Sequence, residues 1–592
     1  AHGEFELYQS MEKYTKAHFL QEPGRKTPVF VRFSTVVGNL GSKDTARDVR
    51  GFATKFYTEE GNYDLVANNM PVFFIQDAMK FPDIVHAIKP EPHNEMPQAS
   101  SAHDTFWDWV ANNQESAHMI MWLMSDRAIP RSWRMMEGFG VHTFRFVNEE
   151  GKGTFVKFHW KPVLGVHSLL WEEAQVIGGV DPDFHRRDLW DAIEKGAFPV
   201  YELGVQMIAE EDEFMFDFDI LDSTKLWPEE MVPVEIIGRL TLNRNVDNVF
   251  AETEQVAFHP GNVVPGIDFT NDPLLQGRLF SYLDTQLLRL GGPNFVEIPI
   301  NQPLCPFRNN QRNGFSRHRI DIDRVSYHKN SMANNTPATS SPKEGGYVHY
   351  QEKVEGRTIQ ARSDSFKDFF SQARLFWNSM SPVERNHILN AFIFELGKVE
   401  NRSVRQQSVD MFVHVDKQLA YIIADNIGVN RPTGTQVNVS ERSPALSQEN
   451  TSKSAYTQKV GVLIANGFKG REVSHVIEAL EDQGVFVDLI SEKLGPIRGT
   501  DGVELNPNQT IVTTYPELYD SLYIVGGKTD HQAKFDQAIK TFLNTMYKHY
   551  KPIGIATTGE KYVQTSDANN LAGVVFAKNN HQFVEEFIAA IS

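Results

Sequence analysis

Short apolar runs separated by turn residues dominate the first 251 residues of the chain. The runs at 29–31, 71–75, 154–156 and 240–242 are set between Gly, Asn and Asp residues. Apolar runs of this length, punctuated in this way, are typical of β-strands that pair in antiparallel fashion. The pattern therefore predicts a mostly antiparallel β domain with inserted helices over residues 1–251.

Beyond residue 251 the pattern changes twice. Residues 252–365 are rich in Pro, Asn and Gly and have little periodicity, apart from a helix-like stretch at 274–290. A segment of this kind in a compact protein predicts a long wrapping connection. Residues 381–384, Ser-Pro-Val-Glu, form a capping box with proline at the first helical position, which predicts a helical region over 366–430.

The last part of the chain alternates between two periodicities. After a predicted linker at 431–457, strand-like runs at 459–464, 485–490, 521–525 and 552–556 alternate with helix-like runs at 471–483, 532–547 and 582–591. Alternating strands and helices imply parallel crossovers. Residues 458–592 are therefore predicted to form a doubly wound, flavodoxin-like α/β domain.

Composition narrows the possible partners and the cellular location. The chain has 58 basic and 76 acidic residues, a net charge of −18, which disfavours nucleic acid and anionic membranes as partners. No run approaches the roughly 18 apolar residues of a membrane span. The single cysteine, Cys305, cannot form an internal disulfide, and the first ten residues lack a secretory signal. We expect a cytoplasmic protein.

One residue pair in the helix-like stretch suggests metal chemistry. Arg278 and Tyr282 are four residues apart, so their side chains would touch on one face of a helix. A free phenol has a pKa near 10, and keeping such a group ionised at neutral pH costs about 4 kcal/mol. A neighbouring guanidinium and a ferric ion can supply that free energy. The pair is thus a candidate for a metal-bound tyrosinate, although a surface cation stacked on a ring has the same spacing.

Four further segments resemble the monofunctional haem catalases: DTARDVRGFATKFY at 44–57, LVANNMPVFF at 65–74, FHPG at 258–261 and DFTNDPLLQG at 268–277. The added C-terminal domain is similar to that of the large-subunit branch of the family. The resemblance implies an α+β catalase fold, in which an antiparallel β-barrel, a wrapping segment and a helical region precede the flavodoxin-like domain.

Haem, of the b or d type, is the cofactor that the resemblance implies. Tyr282 would be the proximal iron ligand and Arg278 its charge partner. Arg32 and Arg289 match contacts to the haem propionates, and Arg32 shares one face of a strand with Ser34 because strand side chains alternate.

Three more positions match the family's cofactor pocket. Phe73 and Phe81 correspond to pocket aromatics, Phe81 to the ring stacked on the porphyrin. His259 corresponds to a histidine that can be covalently joined to the proximal tyrosine in the large-subunit branch.

The distal side of the pocket is also matched in part. Asn68 corresponds to an asparagine that donates a hydrogen bond to bound peroxide, and Ser34 to a residue that orients the distal histidine. Val36 and Asp48 match an apolar constriction and a carboxylate on the substrate channel. The family's distal histidine precedes an A-H-G-like segment, which residues 1–3 match, so that histidine is expected upstream of residue 1.

The resemblance implies an enzyme, a hydrogen-peroxide:hydrogen-peroxide oxidoreductase that disproportionates hydrogen peroxide to water and dioxygen as a homotetramer. Two alternatives stay open: a haem-binding scaffold without turnover, and a haem peroxidase. The C-terminal domain is similar to class I glutamine amidotransferases, but it has no cysteine, and threonine stands at the nucleophile turn near 556–559. We predict that this domain is catalytically silent.

Overall fold

The computed structural model describes residues 1–305, 309–357, 359, 361–563, 572–578 and 582–592. The chain divides into two compact units. The first comprises residues 1–168 and 185–451, and the second comprises residues 169–184 and 452–592. Each unit has hydrophobic cores of its own, so each is described separately.

Ten strands form the sheet of the first unit: β1 (His2–Leu7), β2 (Lys26–Thr35), β3 (Arg50–Thr58), β4 (Gly61–Asn68), β5 (Gly138–Phe139), β6 (Phe144–Val147), β7 (Gly153–Pro162), β8 (Val200–Ala209), β9 (Glu235–Arg244) and β10 (Ile267–Asp268). Eight of them close an antiparallel barrel in the order β1-β2-β3-β4-β5-β7-β8-β9, with β9 pairing back to β1. The antiparallel barrel expected from the sequence is confirmed.

Aromatic side chains fill the barrel. Because strand residues alternate between the two faces, every second residue of β1, β3 and β7 points inward. Phe52 stacks on Trp160 with ring centres 6.0 Å apart, and Phe5 meets Phe56 edge to face at 5.5 Å. The barrel interior is therefore a packed core, and any ligand site must lie outside it.

Helices cover the barrel and form a separate bundle. In the first unit they are α1 (Phe81–Ile88), α2 (Asp104–Asn112), α3 (Ala117–Met124), α5 (Phe184–Glu194), α6 (Pro273–Arg289), α7 (Ser371–Ser379), α8 (Pro382–Gly397), α9 (Arg402–Phe412) and α10 (Lys417–Ile427), whereas α4 (Trp171–Val180) belongs to the second unit. The predicted capping box is present at the start of α8. Helices α7–α10 share a buried core with α2 and α3, in which Phe392 contacts Trp107 and Phe412.

Helix α6 is the predicted helix-like stretch, shifted by one residue. Its first turn is fixed by Asp272, whose carboxylate accepts the N–H groups of Leu274 and Leu275, and by Pro273 at the first helical position. The helix runs for 17 residues, so Arg278 and Tyr282 are both well inside it.

The second unit is a parallel sheet covered on both faces. After β11 (Lys459–Ile464) come α11 (Gly470–Asp482), β12 (Phe486–Ser491), β13 (Ile497–Arg498), β14 (Glu504–Leu505), β15 (Gln509–Thr510), β16 (Ser521–Gly526), α12 (Gln532–Lys548), β17 (Ile553–Ile555), α13 (Glu560–Val563), β18 (Val574–Phe576) and α14 (Phe583–Ile591). The sheet order is β15-β12-β11-β16-β17-β18. Without the two-residue edge strand β15 this is the flavodoxin order, as predicted.

None of the helices in the described ranges combines the length and the apolar character needed to cross a membrane.

Candidate active site

A cavity of about 740 Å³ lies in the first unit, outside the barrel core. Strands β2, β3 and β4 form one side of it, α6 another, and α1 a third. The volume is within the range of about 300–1,000 Å³ that is usual for small-molecule and cofactor sites. Most of its lining is apolar, with a few polar side chains that converge on it.

The α6 side of the cavity carries the arginine–tyrosine pair. Nη2 of Arg278 donates to the Tyr282 hydroxyl at 2.9 Å, and the guanidinium carbon lies 4.8 Å from the centre of the ring. The side-chain contact expected from the four-residue spacing is therefore present. Both residues line the cavity, which places the phenol oxygen beside a fixed positive charge.

A buried histidine–aspartate pair supports this side of the cavity. Nδ1 of His142, which lines the cavity, lies 2.6 Å from Oδ2 of Asp272, and both side chains are fully buried. Burial lowers the pKa of His142, and Asp272 opposes that shift. A neutral ring would donate its Nδ1–H to the carboxylate, which fixes the tautomer. The sequence alone does not indicate this pair, because the two residues are 130 positions apart.

Two arginines bring positive charge to the cavity. Arg289 is held by the backbone oxygens of Glu254 and Val256 and by Oε1 of Gln286, at 2.5–2.8 Å. Arg32 forms no ion pair with any carboxylate in the described ranges. Burial lowers the pKa of Arg289, and the charge on Arg32 lowers it further. Two neighbouring like charges in a half-buried cavity favour an anionic ligand, and the two carboxylates of haem would suit them.

The opposite side presents an amide and a hydroxyl. Oδ1 of Asn68 accepts the Met70 N–H at 2.8 Å, while nothing in the described chain accepts a hydrogen bond from its NH₂ group. The hydroxyl of Ser34 is likewise unpartnered within those residues. Ser34 faces Gly51 on the neighbouring strand, where an added Cβ would come within 2.6 Å of the Ser34 oxygen. A glycine at this position is therefore required by close approach.

Two aromatic rings form an apolar wall. Phe73 and Phe81 both line the cavity and stack on each other, with ring centres 6.4 Å apart and planes 18° from parallel. A flat aromatic surface of this kind suits a planar conjugated ligand.

One of the two predicted channel residues, Val36, is 43% exposed and so marks the rim, or mouth, of the cavity. Val36 lines the cavity, whereas Asp48 is fully buried behind it. Oδ2 of Asp48 accepts the N–H groups of Val36 and Val37, both at 2.8 Å. Burial raises the pKa of Asp48 to about 6.

His259 lies behind Tyr282 and does not line the cavity. The centres of the two rings are 6.5 Å apart, and Nδ1 of His259 accepts the N–H of Gly261 at 2.7 Å. A covalent bond between His259 and Tyr282 stays a prediction.

The cavity thus fits one class of ligand. A tyrosine-ligated haem requires a phenol oxygen beside a guanidinium, two cations for its two carboxylates, and an aromatic wall against its flat macrocycle. The cavity contains all three. Tyr282, Arg32, Arg289 and Phe81 would hold the haem. The fold and the site together fit the haem-binding class of proteins.

The comparison with known families agrees, and the chain belongs to the catalase family. The family model described as "Catalase" matches residues 1–334. A model described as "Catalase-related immune-responsive" matches residues 363–427, and one described as "C-terminal domain found in long catalases" matches residues 456–592.

Curated relatives are similar over the whole chain. A catalase of Alkalihalophilus pseudofirmus is 65% identical over 591 residues, covering 100% of this chain and 87% of that protein. Catalase-2 of Bacillus subtilis is 63% identical over 596 residues, covering 100% and 86%. Catalase HPII of Mycobacterium avium is 52% identical over 612 residues, also covering 100% and 86%. The chain is therefore an oxidoreductase that decomposes hydrogen peroxide, and its cofactor is haem b or d.

Proposed function

We propose that the chain disproportionates hydrogen peroxide to water and dioxygen in this cavity, with Tyr282 as the proximal ligand. The observation that carries the proposal is the Arg278–Tyr282 hydrogen bond, which faces a cavity that also contains Arg32. Arg32 has no carboxylate partner among the described residues. When bound, haem supplies the redox chemistry. Arg278 stabilises the phenolate form of Tyr282, because its guanidinium donates to the phenol oxygen at 2.9 Å.

The support for Arg278 is electrostatic as well as steric. Asp272 is fully buried and accepts hydrogen bonds from His142 and from the first turn of α6. Asp272 and Arg278 both act electrostatically on the His142 ring. We infer that this carboxylate lowers the cost of holding the Arg278 cation in the wall of the cavity.

The roles on the distal side follow from the unpartnered groups. The NH₂ of Asn68 would donate to a bound peroxide and fix its orientation, which is the usual role of a preorganised donor. Ser34 would orient the distal base that the resemblance implies. His142 is a poor substitute for that base, because Asp272 already engages its Nδ1.

We also propose that the chain assembles into a homotetramer and resides in the cytoplasm. Large apolar side chains are exposed on α6 and on the segment that follows it, including Leu288, Phe315, Ile320 and Ile322. Several such side chains on one extended segment favour coverage by another copy of the chain. Size-exclusion chromatography with light scattering, and fractionation of expressing cells, test these two expectations.

Dioxygen release by the haem-loaded chain tests the proposed reaction. An oxygen electrode should record dioxygen evolution from hydrogen peroxide, and Y282F should lower its rate by about 10³-fold or more. Bound haem without dioxygen release would instead indicate a scaffold. Oxidation of added donors by organic peroxides, in the absence of dioxygen release, would indicate a peroxidase.

A further inference from the structure

We propose that Lys89 is a positioning residue that ties together two walls of the cavity mouth and so determines which peroxides enter. One wall is α1, where Val85 and Ile88 line the cavity. The other is the turn after β2, where Val36 lines it. The inference rests on the proposed function, because it assigns a role in substrate entry.

Lys89 directly follows α1 and reaches across to the opposite wall. Its Nζ donates to the backbone oxygen of Val36 at 2.6 Å and to that of Val37 at 3.1 Å. No ion pair of Lys89 with a carboxylate occurs in the ranges that the structure describes. The ammonium therefore uses its charge in hydrogen bonds to these two carbonyl oxygens. Hydrogen bonds from a charged donor are stronger than neutral ones, so the contact resists separation of the walls.

Asp48 holds the backbone of the same two residues through their N–H groups. Its Oδ2 accepts the N–H groups of Val36 and Val37, and its side chain is buried. The carboxylate and the ammonium thus hold the N–H groups and the carbonyls of one short turn. Asp48 precedes β3 by two residues and so fixes the turn to that strand, whereas Lys89 fixes the turn to α1.

The consequence for the cavity is geometric. Ile88, the residue before Lys89, lines the cavity, so little chain length separates the anchor from the wall that it positions. Without the ammonium, the Val36 turn would remain attached to Asp48 but could move away from α1. The mouth would then widen, and bulkier molecules would pass more easily. A side chain that acts in this way changes selectivity more than it changes the chemistry.

K89M tests the proposal in the haem-loaded full chain. K89R is the conservative variant, and K26M is the control, because Lys26 is an exposed lysine paired with Glu4 outside the cavity. For each protein we would measure kcat and KM with hydrogen peroxide, the rate with tert-butyl hydroperoxide, and the association rate of imidazole followed by absorbance. The last readout does not depend on turnover.

K89M should raise both the tert-butyl hydroperoxide to hydrogen peroxide rate ratio and the imidazole association rate by about 5-fold or more, within the range that steric discrimination spans. K89R and K26M should keep the wild-type ratio. Ratios for K89M that match those of K26M would overturn the proposal. If K89M does not fold, K89Q replaces it; K89Q should raise the ratio in the same direction, and a wild-type ratio for K89Q would equally overturn the proposal.

V36A provides the double-mutant test of the route by which Lys89 acts. If Lys89 works through the Val36 turn, adding K89M to V36A should change the ratio by less than about 2-fold, because coupled residues are not additive. A full and additive effect of K89M in the V36A background would contradict that route.

Absence of dioxygen release from the wild-type chain would count against the proposed function, whereas an active wild type with an unchanged K89M would count only against Lys89.

Discussion

The cavity of the first unit and the carboxyl edge of the second unit's sheet both place a hydroxyl beside a charged group, with opposite results. In the cavity, the Tyr282 hydroxyl lies beside the Arg278 guanidinium and faces about 740 Å³ of space. At the end of β17, the N–H and hydroxyl of Thr557 both donate to Oε1 of Glu472 at 3.0 Å. The first pair is open to a ligand, and the second is satisfied by the protein itself.

A position at the carboxyl edge of a doubly wound sheet is therefore not sufficient for function. Doubly wound sheets bind ligands beyond the carboxyl ends of their strands, where Thr557 and Thr558 lie. There the Thr558 hydroxyl donates to the Val525 oxygen, and Glu472 occupies the Thr557 donors. Arg32 in the cavity, by contrast, has no carboxylate partner among the described residues. Unsatisfied charge distinguishes the two regions better than topology does.

Removing the Tyr282 hydroxyl should produce the largest loss of dioxygen release. Y282F removes the phenol oxygen that we propose as the iron ligand, and dioxygen release should fall by about 10³-fold or more, equivalent to about 4 kcal/mol. Haem content and dioxygen release are measured together. Y550F is the control, because Tyr550 is 90% exposed and lies in the second unit. An active Y282F would contradict the assignment of the ligand.

The amide of the distal side should have the next largest effect. N68A removes a donor that no described protein group uses, and kcat/KM for hydrogen peroxide should fall by about 10²-fold, as on loss of a preorganised donor. Haem content should stay at the wild-type level. If haem were lost in parallel with activity, Asn68 would instead be a structural residue.

A pH profile should reveal the carboxylate behind the cavity mouth. The pKa of Asp48 is raised to about 6, so the group is charged above that pH and neutral below it. Protonation weakens the bonds that Asp48 accepts from Val36 and Val37. We expect kcat/KM to fall by up to about 10-fold as the pH decreases through 6. D48N should flatten this part of the profile, and an unchanged profile in D48N would show that another group titrates.

Changes at the second unit's sheet edge should have the smallest effect on turnover. E472Q and T557A remove a satisfied contact, so peroxide turnover should be unchanged, while the free energy of unfolding of the second unit should fall by about 1 kcal/mol. Calorimetry of the full chain measures the second quantity, with T557S as the conservative control. A loss of turnover in E472Q would mean that the two regions are functionally linked.

Local periodicity accounts for what the sequence predicted. The strand and helix runs of the second unit, helix α6 and the Arg278–Tyr282 contact all depend on neighbours within a few residues, and the structure contains each of them. The two-residue strand β5, which closes the barrel between β4 and β7, is too short to produce a periodic signal.

Long-range pairing accounts for what the sequence did not predict. The His142–Asp272 and Lys89–Val36 contacts join residues that are 130 and 53 positions apart. In sequence, Asp272 is visible only as a helix cap, and Lys89 only as a residue at the end of a helix. Their roles depend on which elements the fold brings together, and one sequence does not contain that information.

Resonance Raman spectroscopy of the haem-loaded chain tests whether Tyr282 binds the iron as a phenolate beside Arg278. The wild-type protein should show iron–phenolate vibrations, and Y282F should lack them, while Y550F should match the wild type. A wild-type spectrum without these vibrations, or a Y282F spectrum that retains them, would contradict the proposal that Tyr282 is the iron ligand.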